Sequence, residues 1–362
     1  MKINFLLPHI RLSGGVKALL EYANRLKRRG HEVRVFVPCK VPKWYQMRNK
    51  WKMRKDGLQS LRPGVVEWMD NTLAIEMFPE PGERYLPGAD ILVASAWQNA
   101  EFAAQLPLEK GVFFYFVLHY ESLWTRHKNR AVKTYDLSCE MITCSTWLKK
   151  TLIEKHGKKA DVLVIPVDRE VFYCEQKKWN LIPRVAMLHH DYDWKGYVEG
   201  IEAVKKILEQ GKKIELVVFG EKLEDPRSLF DKAGFKFKYH YRPTRERLRK
   251  IYESCDIFLC PSWHEGLGLP SMEAMACRCA LVTSDTGGCL DYAINGKTAL
   301  VSPSRDIEGL SENIIRLLDD KKLLESISQN GHEKVSEFNW HESCGQLVSF
   351  FEKSLNVNQI IL

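Results

Sequence analysis

The sequence has no apolar run approaching the roughly 20 residues that a membrane-spanning helix needs. It has no C-x-x-C pair among its ten cysteines. Several of these cysteines sit in apolar, strand-like runs such as "DIFLCPS" and "EMITCS". The reading is therefore buried, reduced thiols in a cytoplasmic protein, with neither a disulfide framework nor a zinc site. No G-x-G-x-x-G follows the first strand-like run, which argues against a dinucleotide-dependent oxidoreductase. Low-complexity segments and short-period repeats are also missing. The opening "MKINFLLPHIRLSGG" does not read as a signal peptide, because its apolar stretch is short and runs straight into "PHIR". Acidic residues are in deficit, with 46 Asp and Glu against 54 Lys and Arg, a formal net charge of +8. That imbalance implies an anionic partner.

What is present is a soluble α/β composition, 45% hydrophobic and 28% charged over 362 residues, long enough for two domains. "KINFLLP" is continuously apolar, as a strand buried on both faces should be. "VKALLEYANRLKRRG" then carries Val16, Leu19, Leu20, Ala23 and Leu26 at helical spacing, with Gly30 as its expected C-cap. "HEVRVFVP", "DILVAS", "VFFYFVL", "EMITCS" and "DVLVIP" are further strands. The pattern breaks at a proline-bounded polar stretch and restarts with "RVAMLH", "KIELVVFG", "FKFKYHYRP", "DIFLCPS", "ALVTSD" and "TALVSP". Strands alternating with helices predict an α/β fold of two tandem Rossmann-like, doubly wound domains. The expected divisions are a first domain over 1–168, a linker over 169–183, a second domain over 184–338 and a closing helical segment over 339–362. Ligands of open parallel sheets bind outside the carboxyl ends of the strands, so the loops at 8–15, 118–124, 189–196 and 262–271 carry the candidate chemistry.

The most informative stretch is "WHEGLGLPSMEAMACR", between strand "DIFLCPS" and a helix. Pro270 suits the first helical position, which makes Leu269 the N-cap, a residue with no oxygen to offer the free amides. Ser271 as the cap is the alternative. An uncapped first turn over Pro270–Met272 is an anion site, and Gly266 and Gly268 let a phosphate approach the backbone of Leu267 and Leu269. Glu273 lies in that first turn, where a carboxylate accepts hydrogen bonds from vicinal ribose hydroxyls. Glu265 lies on the other side, where its oxygens suit sugar hydroxyls or positive charge developing at an anomeric carbon. The spacing fits an extended ligand of ribose, diphosphate and sugar. Taken singly, Glu273 reads as dipole compensation and Glu265 as a surface residue.

The block "HEGLGLPSMEAMACRCALVTSD" resembles the E-x7-E signature of retaining, nucleotide-sugar-dependent glycosyltransferases of the GT-B architecture, family-4 type. "SGGVKALLEYANRLKRRGHEV", "MITCSTWLKKTLIEKHG", "VIPVDREVF" and "FNWHESCGQLVSFFEKSL" resemble further parts of that family, so the likeness covers most of the chain. It implies a cleft between the two domains and a closing helix that crosses back to the first. It also implies a hexose-type sugar transferred with retained configuration, by attack from the leaving-group face, to a saccharide or lipid-linked acceptor in cell-surface polysaccharide or glycolipid synthesis. Lys195 in "HHDYDWKG" is placed to neutralise the leaving diphosphate without a metal. The family's arginine five positions earlier is His190 here, preceded by His189. Gly14 and Gly15 precede the first helix and are expected to let backbone amides meet the diphosphate or the acceptor. His119 matches a histidine that the family places beside the donor sugar, and Tyr120 and Glu121 are expected to help hold the acceptor. Asp191 and Asp193 form a D-x-D of the kind that binds metal elsewhere, taken here as a polar loop. No metal and no cofactor beyond the nucleotide sugar is expected.

The segment 40–55 concentrates cations with interleaved aromatics, among them Lys43, Trp44, Arg48, Lys50 and Trp51. Such a mixture suits an anionic membrane surface or an anionic acceptor, with a solvated loop as the plain alternative. Nucleic acid is not an expected partner, since no binding motif accompanies the charge. The localisation expected is cytoplasmic, peripheral at the inner membrane face where the basic segment engages it. A non-catalytic nucleotide- or glycan-binding protein, motivated by His190, is the competing reading.

Overall fold

The computed structural model describes residues 1–10, 13–38, 66, 73, 75–78, 82–221 and 227–361. Lys43, Trp44, Arg48, Lys50 and Trp51 lie outside the described residues. The chain forms two compact units, one of Met1–Leu163 with His341–Leu362 and one of Val164–Trp340.

The first unit is built on β1 (Lys2–Leu6), α1 (Gly14–Arg28), β2 (Glu32–Pro38), β3 (Ile75–Phe78), β4 (Ile91–Ala94), α2 (Trp97–Ala103), β5 (Val112–Val117), α3 (Lys128–Thr134), β6 (Glu140–Thr143), α4 (Thr146–His156) and β7 (Asp161–Val162). Its strands pair in the order β3-β2-β1-β4-β5-β6-β7, and these pairs are all parallel. The apolar stripe read from the sequence is the buried face of α1, with Val16, Leu19, Leu20, Ala23 and Leu26 all at 3% exposure or less. Two details of α1 differ from expectation. Gly14 and Gly15 form its first turn rather than a preceding loop, because the Ser13 hydroxyl accepts the Val16 N–H and starts the helix at Gly14. The C-cap is Arg29, and Gly30 follows it at φ 88°. The four-residue β3 and the seven-residue α2 and α3 are too short to show a period in the sequence.

The second unit contains β8 (Arg184–His189), α5 (Tyr197–Glu209), β9 (Glu215–Gly220), α6 (Arg227–Ala233), β10 (Lys238–Tyr241), α7 (Arg245–Ser254), β11 (Ile257–Cys260), α8 (Leu269–Ala276), β12 (Ala280–Ser284), β13 (Leu300–Ser302), α9 (Ile307–Asp319) and α10 (Lys321–Ser336). The sheet order is β10-β9-β8-β11-β12-β13, again parallel throughout. One core runs beneath it, from Val185 and Met187 through Leu259 and Val282 to Leu310 and Ile314. The final helix α11 (Trp340–Ile361) belongs, from His341, to the first unit. There Phe351 meets Phe114 of β5 edge-on at 4.8 Å, and the Ser343 hydroxyl bonds the Tyr22 hydroxyl at 2.6 Å. Among the described residues no helix is long and apolar enough to cross a membrane.

Strand order reverses between β1 and β4 in one sheet and between β8 and β11 in the other. These are the switch points where the carboxyl ends of parallel strands leave a crevice.

Candidate functional site

The loops that leave β8 and β11 lie backbone against backbone. Gly196 makes this possible: it sits at φ 67°, and a Cβ there would fall 1.9 Å from the Pro261 carbonyl oxygen. The Trp263 N–H bonds the Trp194 carbonyl at 2.8 Å. This junction delivers Lys195, from the first loop, to Glu265, from the second. Their ammonium and carboxylate meet at 2.6 Å, with side-chain exposures of only 15% and 12%. The Ser262 hydroxyl donates to the same carboxylate oxygen at 2.9 Å. The Lys195 ammonium also stands 4.4 Å above the Trp194 ring, a cation–π contact that fixes it from a second side.

Trp194 is one rung of an aromatic stack. His190 lies on Tyr192 at 4.4 Å, Tyr192 on Trp194 at 5.5 Å, and Trp194 on His264 at 5.2 Å. Burial holds His264 below the usual imidazole range, and the Lys195 and Arg305 charges push in the same direction. His190 accepts the Tyr192 N–H at 3.2 Å through Nδ1, so its ring is oriented by its own loop. Asp191 and Asp193 are exposed on that loop.

A cavity opens between the carboxyl ends of β8 and β11. Lys195, Ser262, Glu265, Gly268, Pro270 and Ser271 contribute to its wall. The helix that starts there, α8, begins one residue earlier than the sequence suggests. Its cap is Gly268 at φ 90°, with no side-chain hydrogen bond, and Leu269 is already helical. The Ser271 and Met272 amides bond the Gly268 carbonyl at 3.0 and 3.4 Å. These two amides, expected to grip phosphate, are therefore internal. The Tyr292 hydroxyl donates to the Leu267 and Gly268 carbonyls at 2.9 and 3.1 Å. In a planar trans peptide the N–H points opposite to the carbonyl, so the Gly268 and Leu269 amides face away from Tyr292. The amides of this turn that are placed as a candidate anion site are thus those of Gly268 and Leu269. The Gly266 carbonyl side is closed by Gly288, where a Cβ would sit 2.1 Å from the Gly266 oxygen. Glu273 is buried in α8 at 7% exposure.

His119 follows β5 in the first unit. Its Nδ1 accepts the Trp124 indole N–H at 3.2 Å, and since an indole nitrogen only donates, the proton of the neutral imidazole is on Nε2. Gly15 packs close to the end of the same strand, a Cβ there falling 3.0 Å from the Leu118 Cδ1. Tyr120 and Glu121, expected to reach an acceptor, are turned inward. Tyr120 is 5% exposed with its hydroxyl 3.0 Å from the His156 Nε2. Glu121 accepts the Trp97 N–H at 2.7 Å and so caps α2.

The structure therefore unites Lys195, Glu265, Gly268 and Pro270 at one cavity wall and seats His119, Gly14 and Gly15 in the other unit. Sequence reasoning passed over Ser262 and Trp194. Each has a signal, since Ser262 stands three residues before Glu265 in "PSWHE" and Trp194 adjoins Lys195 in "DWK".

Residues 177–334 match the family model "Glycosyl transferases group 1". The capsular polysaccharide biosynthesis glycosyltransferase CapM of Staphylococcus aureus is 28% identical over 171 residues, 44% of this chain and 44% of that protein. A Campylobacter jejuni N,N'-diacetylbacillosaminyl-diphospho-undecaprenol alpha-1,3-N-acetylgalactosaminyltransferase is 29% identical over 185 residues, 50% of this chain and 47% of that one. The chain thus spans about half the length of the curated relatives it matches. Among solved structures, sucrose-phosphate synthase from Thermosynechococcus elongatus superposes with a TM-score of 0.77 at 16% identity, covering 99% of this chain and 100% of that one. Anabaena HepE in complex with UDP and glucose gives 0.75 at 15% identity, covering 98% and 100%. The chain has the GT-B fold of these solved glycosyltransferase structures, and its residues 177–334 are similar to the group 1 glycosyltransferases.

Proposed function

We propose that the chain is a retaining glycosyltransferase that moves a hexose-type sugar from a nucleotide-diphosphate donor to a saccharide or lipid-linked acceptor. The observation that carries this reading is the Lys195–Glu265 pair at the cavity wall beside the glycine-capped start of α8. In the structure the two charges satisfy each other at 2.6 Å. A bound diphosphate competes for the ammonium, and a bound sugar competes for the carboxylate. The Gly268 and Leu269 amides add fixed donors to the phosphate side. During transfer the anomeric C–O bond to phosphate breaks and its electron pair stays on the diphosphate. Lys195 stabilises that charge, and Glu265 stabilises the positive charge on the sugar. The acceptor hydroxyl forms the new bond from the same face, and its proton goes to the departing phosphate oxygen. Glu273 takes the ribose hydroxyls. Lys195 performs the phosphate neutralisation for which other glycosyltransferases use a metal. The similarity to a capsular polysaccharide biosynthesis glycosyltransferase supports a cell-surface polysaccharide or glycolipid product, and a cytoplasmic, membrane-peripheral location is part of the same proposal.

Turnover of UDP-, GDP- and dTDP-sugars by the wild type and by Glu265→Ala tests the reading. Glu265→Ala is expected to lose at least about 100-fold in kcat with an unchanged circular dichroism spectrum. A near-wild-type rate sinks the assignment. A second reading, a non-catalytic nucleotide- or glycan-binding protein, draws on the His190 ring being engaged by its own loop. Nucleotide binding without turnover of any donor selects it.

A further inference from the structure

Arg305 follows β13 in the turn "PSRD" and combines two unusual features. Its backbone is at φ 66°, a left-handed conformation that glycine takes without strain and an L side chain rarely does. The residue is exposed, yet its guanidinium carbon lies over the Trp263 ring, 3.6 Å from the centroid. The platform beneath it is rigid. The Trp263 indole N–H donates to Glu199 at 2.8 Å, its backbone N–H to the Trp194 carbonyl at 2.8 Å, and its carbonyl accepts the Ser304 hydroxyl at 3.1 Å. The adjacent Asp306 is turned into α9, where it caps the Gly309 N–H at 2.9 Å. Among the described residues no carboxylate forms an ion pair with Arg305.

The position matters because of the charge balance at the cavity. Lys195 and Glu265 sum to zero, so their pair gives a polyanion no net attraction. Trp263 is two residues from Glu265 and backbone-bonded to the residue before Lys195. The His264 ring between them feels the charges of Glu265, Lys195 and Arg305 together. Among the described residues Arg305 is thus a cation without an ion pair, seated on the residue two before Glu265. A planar guanidinium stacked on an aromatic face keeps its in-plane N–H fork free for bidentate contact with an oxyanion.

We propose that Arg305 is a phosphate-recognising residue, its guanidinium pre-positioned on Trp263 to take an oxyanion of a diphosphate ligand at the Lys195–Glu265 cavity. The proposal rests on the transferase reading only for the source of that diphosphate, which belongs either to the nucleotide donor or to a lipid-diphosphate acceptor.

The test is calorimetric titration of the full chain and of Arg305→Gln, Arg305→Lys and Arg305→Gly with inorganic pyrophosphate, with UDP, GDP and dTDP, and with farnesyl diphosphate. Arg305→Gln is expected to weaken pyrophosphate at least tenfold, with Arg305→Lys in between because it keeps charge but loses the fork. Arg305→Gly relieves the left-handed strain, so it is expected to match the wild-type melting temperature or exceed it while binding as poorly as Arg305→Gln. Weakening of a nucleoside diphosphate assigns the donor. Weakening of farnesyl diphosphate alone assigns the acceptor. Affinities within twofold of wild type for every ligand overturn the proposal, as does a wild type that binds none of them. Diphosphate binding lost at Arg305 in a chain that transfers no sugar removes the transferase reading and leaves this one standing. Sugar transfer at an unchanged kcat/KM in Arg305→Gln does the reverse.

Discussion

Glu121 and Glu265 each follow a central parallel strand, and each is 9% exposed. Their surroundings are opposite. Among the described residues the Glu121 carboxylate meets only neutral donors, the Trp97 amide at 2.7 Å and the Tyr115 hydroxyl at 3.4 Å. Burial pushes its carboxyl up to about 7. Glu265 meets a lysine. Glu121 also repairs a local defect: the residue ahead of α2 is Ala96, at φ 68° and with no side-chain oxygen to cap the helix. One carboxylate is thus part of the architecture, held by partners that no ligand needs. The other is held by an ammonium, the group that the proposed diphosphate would claim. Burial alone does not mark a functional acid; the exchangeability of its partner does.

The strongest way to break this comparison is to take the lysine away. Lys195→Met leaves Glu265 buried without its ammonium partner, while the Ser262 hydroxyl still donates to it. Removing one partner of a buried ion pair costs about 3–5 kcal/mol, and the 15% and 12% exposures place this pair near that regime. The single variant is expected to melt several degrees lower and to lose turnover. Lys195→Met combined with Glu265→Gln is expected to recover most of the melting temperature and none of the activity. Thermal denaturation of the single variant at the level of the double one contradicts a stabilising pair.

Glu121→Gln probes the other side. The Glu121 pKa is raised by folding, from an ordinary 4.5 to about 7, with burial as the first cause. The native state therefore binds the extra proton between those values, and the stability Glu121 contributes is complete below about 4.5 and lost as the pH rises through about 7. Glutamine mimics the protonated acid and does not titrate. Melting temperatures of wild type and variant are expected to agree near pH 5 and to separate by a few degrees, in favour of the variant, above pH 7. Parallel curves across that range refute the burial argument.

The comparison also shows what a sequence carries. The period-2 and period-3.6 patterns of the strands and of α1 are set by burial against neighbours, so runs such as "RVAMLH" and "KIELVVFG" are legible without coordinates. The glycine-rich loop before α8 is legible too, because a left-handed cap demands glycine. Its register is not. Whether Leu269 or Gly268 caps the helix depends on Tyr292 holding the Leu267 and Gly268 carbonyls from 25 and 24 positions away. The same holds for the central pair. Lys195 and Glu265 are separated by 70 positions, and the contact of Gly196 with Pro261 and the Trp263–Trp194 backbone bond bring them together. Glu121 shows the converse, since nothing in "HYESLW" distinguishes a carboxylate facing a ligand from one capping a helix formed by residues 97–103.

The finest test concerns the weaker of the two neutral donors on Glu121. Tyr115 is fully buried, and its hydroxyl stands 3.4 Å both from the Glu121 carboxylate and from the Thr134 hydroxyl. Tyr115→Phe removes a long hydrogen bond that favours the charged carboxylate. Thr134 is not stranded by this, since it donates to the Ala131 carbonyl at 2.7 Å. The stability change is expected to stay within about 1 kcal/mol. The midpoint of the pH-dependent loss is expected to move upward by a fraction of a unit, because the charged form has lost a donor while the burial that raises it is unchanged. A midpoint that moves downward shows that the Tyr115 hydroxyl does not stabilise the charged Glu121, leaving the Trp97 amide as the donor that does.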